Sequence, residues 1–396
     1  MLEQLNKAII ERKEELEQWF GKYNSHELPF YSSFDIRNSA YKTVVIDSNV
    51  FPAGFNNLCD ETYPIAEEAI KSFIKVNFPG TKKIGVIAEV TTNKFYYENL
   101  EAIRRLLDES GFMVKTAAIE KGSELQQFGI IEQKLHIKDF TPDLIVSNND
   151  FSSTDTSILK GIKQPITPNF NLGWFKRKKH RHFCVKNELI KEIASILKID
   201  RWFIGAYYEY AEEVNFKERR NFELIANKID KCIEQIKLKY EEYSINDKPF
   251  VFVKGNASTY GMNVIPFYSG EDFLSINSKQ RAKMHKSKGG KQVSEVLIQE
   301  GVPTKDIVEN KVAEPVVYCI GDKPIGGFFR ANQEKNEREN LNTKGMVFAS
   351  DLFCPPAFEK RKNFEGSNIT IEKINIYKFL AKLGVIAIGK ELEELK

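Results

Sequence analysis

The sequence predicts a mixed fold in which an N-terminal α/β region with a parallel sheet precedes a strand-rich α+β half. Three observations support this prediction. Apolar runs typical of strands alternate with segments of helical spacing between residues 41 and 150, as in parallel sheets with crossover helices. From residue 249 onward, β-branched and aromatic runs dominate. The length of 396 residues leaves room for two or three domains.

In the N-terminal half, apolar residues at helical spacing predict a first helix over residues 2–20. A loop at 21–33 follows. Strands are then expected at 41–50, 82–90, 113–120 and 143–150, with helices at 63–77 and 97–110 and a weaker helix before the last strand.

A boundary is expected within residues 164–176, which contain two prolines and little periodicity. The densest charge cluster of the chain, KRKKHRH at 176–182, follows directly. Beyond it we expect helices at 185–198, 216–244 and 373–394, and strands at 249–257, 294–302, 314–331 (a hairpin) and 345–353.

Composition narrows the class of protein. With 42% hydrophobic and 12% aromatic residues the chain is not disordered. Lys and Arg number 58 against 55 Asp and Glu, a net charge of +3, which argues against a dedicated nucleic-acid binder. Five scattered cysteines without a CxxC pair predict reduced thiols and a cytoplasmic protein. No apolar run approaches the roughly 18 residues of a membrane helix, and no signal-peptide pattern is present.

Polar residues follow three of the predicted N-terminal strands, at 47–49, 89–93 and 148–150. Ligands of parallel sheets bind beyond the carboxyl ends of the strands. These residues therefore predict a small, hydrogen-bonding substrate, although Asn and Asp are also ordinary turn residues.

The segment PFVFVKGNASTYGM carries a lysine, Lys254, at the end of an apolar strand and before a Gly/Ser/Thr turn. Such a lysine can contact phosphates through its ammonium group, while the turn contributes backbone N–H groups. A plain hairpin with an exposed lysine is the alternative. Neither a Walker A loop nor a GxGxxG fingerprint is present.

Three later segments carry further candidates. The apolar strand in SEVLIQEGV runs into Gln299 and Glu300 and is suited to binding a nucleotide base. The alternative is an ordinary strand. The second strand of a hairpin ends at Arg330, which can hold a phosphoryl group or carboxylate or form a rim salt bridge. The segment NERENLNTKG gathers Glu337, Glu339, Asn340 and Asn342, whose oxygens suit Mg²⁺ or belong to a solvated turn.

In this order the motifs resemble the ATP-grasp superfamily and, more closely, the proteobacterial type of glutamate–cysteine ligase. The phrases that carry the resemblance extend from about residue 34 to 346 and include FDIRNSAYKTVVIDSNVFPAGFNNL, NNDFS, WFKRKKHRHF, VKGNASTYGM, EVLIQEGVPT, AEPVVYCI, GGFFR and ENLN. One departure is Asn263, where a second glycine is expected after YGM. Asn tolerates left-handed backbone better than most residues.

The resemblance implies a chain of three parts: a helix and loop over 1–30, a Rossmann-like pre-ATP-grasp substrate domain over 31–175, and an ATP-grasp domain of two α+β subdomains over 176–396. It implies an ATP- and Mg²⁺-dependent enzyme that joins the γ-carboxylate of glutamate to the amine of cysteine through an acyl phosphate, the first step of glutathione biosynthesis. The expected partners are therefore small molecules, with neither nucleic acid nor membrane.

The same resemblance assigns expected roles to individual residues. Catalysis would use Arg330 and Lys254. ATP would be held by Lys254, Ser258, Thr259, Gly261, Gln299, Glu300, Val302 and either Lys178 or Lys179. The amino acids would be held by Arg37, Asn49, Asn56, Asn57, Asn149 and Asp150, and the metal by Glu339, Asn342 and, more weakly, Glu314. For Arg37 a structural ion pair is an equal alternative.

Two alternatives from the sequence remain open. One is another carboxylate–amine ligase, such as a glutathione-synthetase-like enzyme. The other is a non-enzymatic nucleotide- or RNA-binding protein that uses the basic run 176–182 with Trp174 and Phe183. The latter would show salt-dependent nucleic-acid affinity and no turnover.

Overall fold

The structure is a computed structural model that describes residues 2–118, 125–152, 154–257, 264–286, 290, 292–350, 353 and 366–396. Helices in this part of the chain are α1 (Leu2–Glu11), α2 (Lys13–Gly21), α3 (Tyr63–Asn77), α4 (Lys94–Glu109), α5 (Lys179–Leu197), α6 (Phe222–Glu242), α7 (Gly270–Leu274), α8 (Ser278–His285) and α9 (Ile371–Leu395).

The strands fall into the two halves that the sequence indicates. The first half holds β1 (Tyr31–Asn38), β2 (Thr43–Asn49), β3 (Lys83–Ala88), β4 (Met113–Ala118), β5 (Gln126–Gln127), β6 (Gly129–Ile131), β7 (Lys134–His136), β8 (Leu144–Ser147) and β9 (Ile166–Thr167). The second holds β10 (Tyr208–Ala211), β11 (Val251–Gly255), β12 (Ile265–Phe267), β13 (Val296–Glu300), β14 (Asp306–Val308), β15 (Lys311–Ile320), β16 (Lys323–Asn332) and β17 (Met346–Ala349).

The predicted parallel sheet is confirmed, with the strand order β5-β4-β3-β8-β9. Its central strands are buried apolar runs, as expected for a sheet covered by helices. The side chain of Asn93 caps α4 by accepting a hydrogen bond from the backbone N–H of Phe95, which explains why this helix begins at residue 94.

The position of β2 corrects one expectation. The predicted strand 41–50 does not belong to the parallel sheet but pairs antiparallel with β1, and β1 pairs with β15. These strands form a sheet of order β17-β16-β15-β1-β2, with β14 also pairing β15. The sheet crosses the predicted boundary at residue 175. The division of the chain into domains stays a prediction.

Three further expectations need correction. Residues 129–136, within the predicted weaker helix, form the β6–β7 hairpin. The single helix expected over 2–20 is two helices that meet at Arg12, whose backbone is not helical. Strand β1 begins inside the loop expected at 21–33 and continues to Asn38 through residues for which no element was predicted.

A four-stranded antiparallel sheet of order β10-β13-β11-β12 forms the rest of the C-terminal half. Helix α6 packs on it through an apolar stripe that includes Ile225, Ile229, Cys232 and Ile236. This agrees with the helix predicted over 216–244, although the helix itself spans 222–242.

The oxidation states of the cysteines differ in part from the prediction of five reduced thiols. Cys184, Cys232 and Cys319 are free, but Cys59 is in a disulfide, so the expectation of five reduced thiols is wrong for that residue. Cys354 lies outside the described residues. Within the described ranges, no helix combines the length and apolar character needed to cross a membrane.

The C-terminal helix α9 lies in the main core and packs against α5, β1, β2 and β15. It approaches β1 closely at Gly384, where a Cβ atom would lie 2.4 Å from Cε1 of Phe34. Because a Gly in a helix interior costs about 1 kcal/mol relative to Ala, its presence here reflects that close contact.

We expect Gly384→Ala to lower the free energy of unfolding measured in urea. Overpacking against Phe34 costs about 1–3 kcal/mol, which exceeds the gain in helix propensity. The control is Gly21→Ala, since a Cβ at Gly21 meets nothing within 4 Å, and this variant should match or slightly exceed the wild type. A Gly384→Ala protein at least as stable as Gly21→Ala would contradict the packing argument.

Candidate active site

A cavity of about 520 Å³ is lined by both antiparallel sheets. Its wall includes residues of β1, β2, β15 and β16 from one sheet, residues of β11 and β13 from the other, and the loop at 50–57. The structure brings eleven of the predicted site residues to this wall: Arg37, Asn49, Asn56, Asn57, Asp150, Lys179, Lys254, Gln299, Glu314, Arg330 and Asn342.

Lys254 reaches the cavity from the end of β11, and its Nζ donates a hydrogen bond to the backbone carbonyl of Ile46 (3.0 Å). That carbonyl is available because β2 bulges where Ile46 has no partner on β1. Burial lowers the pKa of Lys254 to about 8; the Asp47 carboxylate opposes the shift and the Lys179 ammonium adds to it.

The structure separates the two lysines that the sequence left as alternatives. Lys179 lines the cavity and donates to Asp47 Oδ1 at 2.5 Å. Lys178 instead pairs with Glu295 (2.7 Å) and is not on the wall. Burial by itself would raise the pKa of Asp47, but Lys179 and Lys254 outweigh it, so the pKa lies well below its usual range.

Arg330 lies at the centre of a buried cluster of charges. Its Nη1 is 2.9 Å from Glu314 Oε1 and 3.4 Å from Asp35 Oδ2, while its Nε has no partner. Asp35 Oδ1 is also unpartnered, and burial raises the pKa of this carboxyl although Arg330 opposes the shift. Both side chains line the cavity, and each carries one buried polar atom without a hydrogen-bond partner among the described residues.

Arg37 also lies on the wall but is heavily engaged by the protein. Its Nε donates to Glu314 Oε2 at 2.9 Å, and its two terminal nitrogens donate to three backbone carbonyls, those of Val302, Glu337 and Glu339. These contacts favour the structural alternative for Arg37 over the carboxylate anchor.

Four other predicted residues lie away from the wall. Both oxygens of Glu300 are used inside the protein: Oε1 accepts from Lys42 and Trp202, and Oε2 accepts from the N–H of Tyr207. Val302 is buried and its carbonyl accepts from Arg37. Asn149 is bonded to Thr154 and the backbone of Phe151.

The fourth is Glu339, whose carboxylate accepts from Lys335 (2.9 Å) and from the N–H of Asn336 (3.0 Å). The expected metal ligand is therefore neutralised at a turn outside the cavity. Of the other two expected ligands, Asn342 and Glu314 do line the cavity, but both oxygens of Glu314 are bonded to arginines. Ser258, Thr259 and Gly261 lie outside the described residues.

The basic run 176–182 makes mostly internal contacts. Arg177 pairs with the buried carboxylate of Glu391 in α9, and Lys176 donates to the carbonyl of Leu395. With Lys178 and Lys179 also paired, four of its charges bind this protein's own groups, and Trp174 lies against Lys179 (4.7 Å). This arrangement does not favour the RNA-binding alternative.

Sequence reasoning missed Asp35 and placed Asp47 only among the polar residues at a predicted strand end; both line the wall, where they face each other across β1 and β2. A signal for Asp35 exists, since alternate residues of a strand share a face and Ser33, Asp35 and Arg37 all line the cavity. It becomes readable only once residues 31–38 are recognised as a strand.

Comparison with known proteins identifies similar chains. A family model described as glutamate-cysteine ligase matches residues 6–392. A proposed gamma-glutamylcysteine synthetase from Methylobacillus flagellatus KT, solved at 1.90 Å, is 30% identical with a TM-score of 0.87, covering 99% of this chain and 96% of that one. No protein with a curated function matches the sequence.

Two more distant structures are similar only at low sequence identity and low TM-score. D-alanyl-alanine synthetase A from Vibrio cholerae is 12% identical with a TM-score of 0.37, covering 76% of this chain and 79% of its own. A glutathione synthetase like-effector from Globodera pallida is 11% identical with a TM-score of 0.41, covering 88% and 80%.

Proposed function

The chain belongs to the glutamate-cysteine ligase family and is a ligase that joins glutamate to cysteine, and we propose that it does so in the central cavity at the expense of ATP. The observation that supports this most strongly is the cavity's charge pattern. The cavity wall carries the cations Lys179, Lys254, Arg330 and the internally bonded Arg37, beside carboxylates that include Asp35 and Asp47. Phosphates need such cations, and a divalent ion or substrate ammonium group needs such carboxylates.

The reaction needs activation because a carboxylate does not acylate an amine directly. In our proposal a γ-carboxylate oxygen of glutamate attacks the γ-phosphorus of ATP, the bond to the ADP oxygen breaks, and an acyl phosphate forms. The neutral amine of cysteine then attacks the acyl carbon, phosphate leaves, and the nitrogen loses a proton. No protein nucleophile is required, so catalysis is mainly positioning and electrostatic stabilisation.

The chain's own residues have distinct roles in this scheme. Lys254 and Lys179 would bind the phosphate chain, with Lys254 oriented by the carbonyl of Ile46. Arg330 would bind the transferring phosphoryl group, because its side chain lines the cavity while Glu314 and Asp35 hold its Nη1 in place. We place the nucleotide in an ATP-grasp arrangement formed by the two antiparallel sheets.

A divalent cation fits the acidic side of the cavity. Asp35 Oδ1 is buried without a partner, its raised pKa reflects a burial that Arg330 does not fully offset, and oxygen donors are the ligands of Mg²⁺. Asp35, Asp47 and Asn49 would hold it, in place of the expected Glu339. When bound, the ion would offset negative charge on the phosphates. Among the described residues no three His, Cys, Asp or Glu side chains already form a metal cluster, so substrate oxygens would complete the coordination.

The test of this function is ADP release by the purified protein. Glutamate plus cysteine should support turnover, whereas gamma-glutamylcysteine plus glycine should not. With ¹⁸O in the γ-carboxylate of glutamate, one labelled oxygen should appear in each phosphate released. Unlabelled phosphate would rule out the acyl phosphate, and turnover only with the second pair of substrates would assign the protein to the glutathione-synthetase reaction.

A further inference from the structure

Four buried or largely buried cations contact four consecutive residues of β2. We call these four cations the β2 cation row. The contacts are Lys186 Nζ to Val45 O (2.7 Å), Lys254 Nζ to Ile46 O (3.0 Å), Lys179 Nζ to Asp47 Oδ1 (2.5 Å) and Arg177 Nη1 to Ser48 O (2.7 Å). The first two involve the residues of the β2 bulge, Val45 and Ile46, so one lysine binds each bulge carbonyl.

Lys186 differs from the other members of this row. It is 2% exposed, does not line the cavity, and its ammonium group lies 3.9 Å from the centre of the Phe183 ring. Throughout the described ranges no carboxylate comes within salt-bridge distance of it, whereas Arg177 and Lys179 each have one. A buried ammonium group without an anion is costly, which suggests that its anion arrives with a ligand.

The charges around Lys186 come from several elements. Lys254 of β11 and Lys42, next to β2, oppose its protonation, and Asp47 favours it. His182, one turn earlier on α5, is itself held by Glu391 of α9. Burial is the largest effect, and together these groups lower the pKa of Lys186 to about 7.

We propose that Lys186 is a positioning residue of the nucleotide site, which holds the β2 bulge so that Ile46 orients Lys254, and which takes up a proton when an anionic phosphate chain binds. This inference rests on the proposed function, since it takes the cavity to be the ATP site. Lys186 does not touch the nucleotide in this scheme. It acts through Val45 and through its charge.

The sign of the effect follows from electrostatics. In the free protein at pH 8, a group with a pKa of about 7 is mostly neutral. Negative charge placed beside it favours the ammonium form and raises its pKa, so binding takes a proton from the buffer. Lys254, with a pKa of about 8, contributes a smaller share. At this pH the nucleotide phosphates are already ionised, so they do not supply the proton.

The test is titration calorimetry with ADP and magnesium at pH 8, in two buffers of different ionisation enthalpy, which yields the number of protons taken up per ADP bound. We expect net uptake by the wild type. In Lys186→Met the uptake should fall by at least half and the dissociation constant should rise about tenfold. Methionine should permit folding, because an apolar residue of similar volume in place of a buried charge is often neutral or stabilising.

The matched control is Lys191→Met, which replaces an exposed lysine on the same helix that pairs with Glu188; it should bind and take up protons like the wild type. Lys186→Arg should bind ADP but lose the uptake attributed to this position, because arginine stays protonated. A purely structural role would not change proton uptake.

Three outcomes would overturn the inference. Wild-type binding without proton uptake is the first, and it needs no variant. The second is a Lys186→Met protein with wild-type uptake and affinity. The third is a wild type that does not bind ADP at all, which overturns the proposed nucleotide site together with this inference, whereas the first two leave the proposed function intact.

Discussion

Replacing Lys254 with methionine should lower kcat/KM for ATP by about 10²- to 10³-fold, the usual loss when one preorganised charge donor is removed from an active site. Lys254 is the strand-end cation nearest the β2 bulge, its Nζ is 3.0 Å from the carbonyl of Ile46, and it lines the cavity. Its ammonium group is therefore already oriented before substrate arrives. Methionine keeps an unbranched apolar side chain that is one atom shorter, and it removes the ammonium group with its hydrogen bond to Ile46.

The effect should be on catalysis and not on folding. Because burial disfavours the charged form of Lys254, its loss should leave the urea midpoint unchanged or slightly higher. The control is Lys248→Met, an exposed lysine shortly before the same strand, which should retain full activity. A Lys254→Met enzyme with wild-type kcat/KM would show that this lysine does not bind the phosphates.

Arg37→Met should instead destabilise the protein, by about 3–5 kcal/mol, the range found when one partner of a buried ion pair is removed. Arg37 is 2% exposed and its Nε lies 2.9 Å from Glu314 Oε2. It also donates to the carbonyls of Val302, Glu337 and Glu339. Its removal takes one donor from each of these carbonyls, of which that of Glu337 also accepts from the N–H of Thr304, and it weakens the contact between β1 and the segment 337–339.

Urea unfolding of the variant measures this loss. Adding Glu314→Gln to Arg37→Met should restore part of the stability, because it removes the excess negative charge from the buried cluster of Arg330, Asp35 and Glu314. A matched surface variant is Arg105→Met, whose partner Glu109 is on the same exposed helix face, and which should lose at most about 0.5 kcal/mol. If Arg37→Met unfolds like the wild type but binds glutamate far more weakly, then Arg37 is the carboxylate anchor first expected.

The secondary structure of the N-terminal parallel sheet could be predicted because its signals are local. Runs such as KKIGVIAEV and the helix at 63–77 have the right periodicity within one segment. Segment 31–38 carries only a short alternation of polar and apolar residues, at Ser33–Arg37, and in the structure both of its faces are buried. Arg37 and Asp35 have their charged partners, Glu314 of β15 and Arg330 of β16, 277 and 295 residues away in the chain.

For the same reason the choice between neighbouring charges could not be made from the sequence. Lys178 and Lys179 are adjacent and identical, and only the orientation of the first turn of α5 directs Lys179 to Asp47 and Lys178 to Glu295. Likewise Glu300 follows Gln299, but strand alternation directs Glu300 towards Lys42 and Trp202, while Gln299 reaches the cavity wall.

The sequence by itself therefore determined the mixed α/β class, the parallel sheet, the family and the segments that supply the site, because periodicity and local motifs carry that information. Only the tertiary structure decided that β1 and β2 join the C-terminal sheet, that Asp35 and Asp47 face the cavity, and that Arg37 and Glu300 hold the protein together. Burial and ion pairing depend on residues that are distant in the chain. The balance between the cost of desolvating a charge and the gain from pairing it is set only when those residues meet in the folded protein.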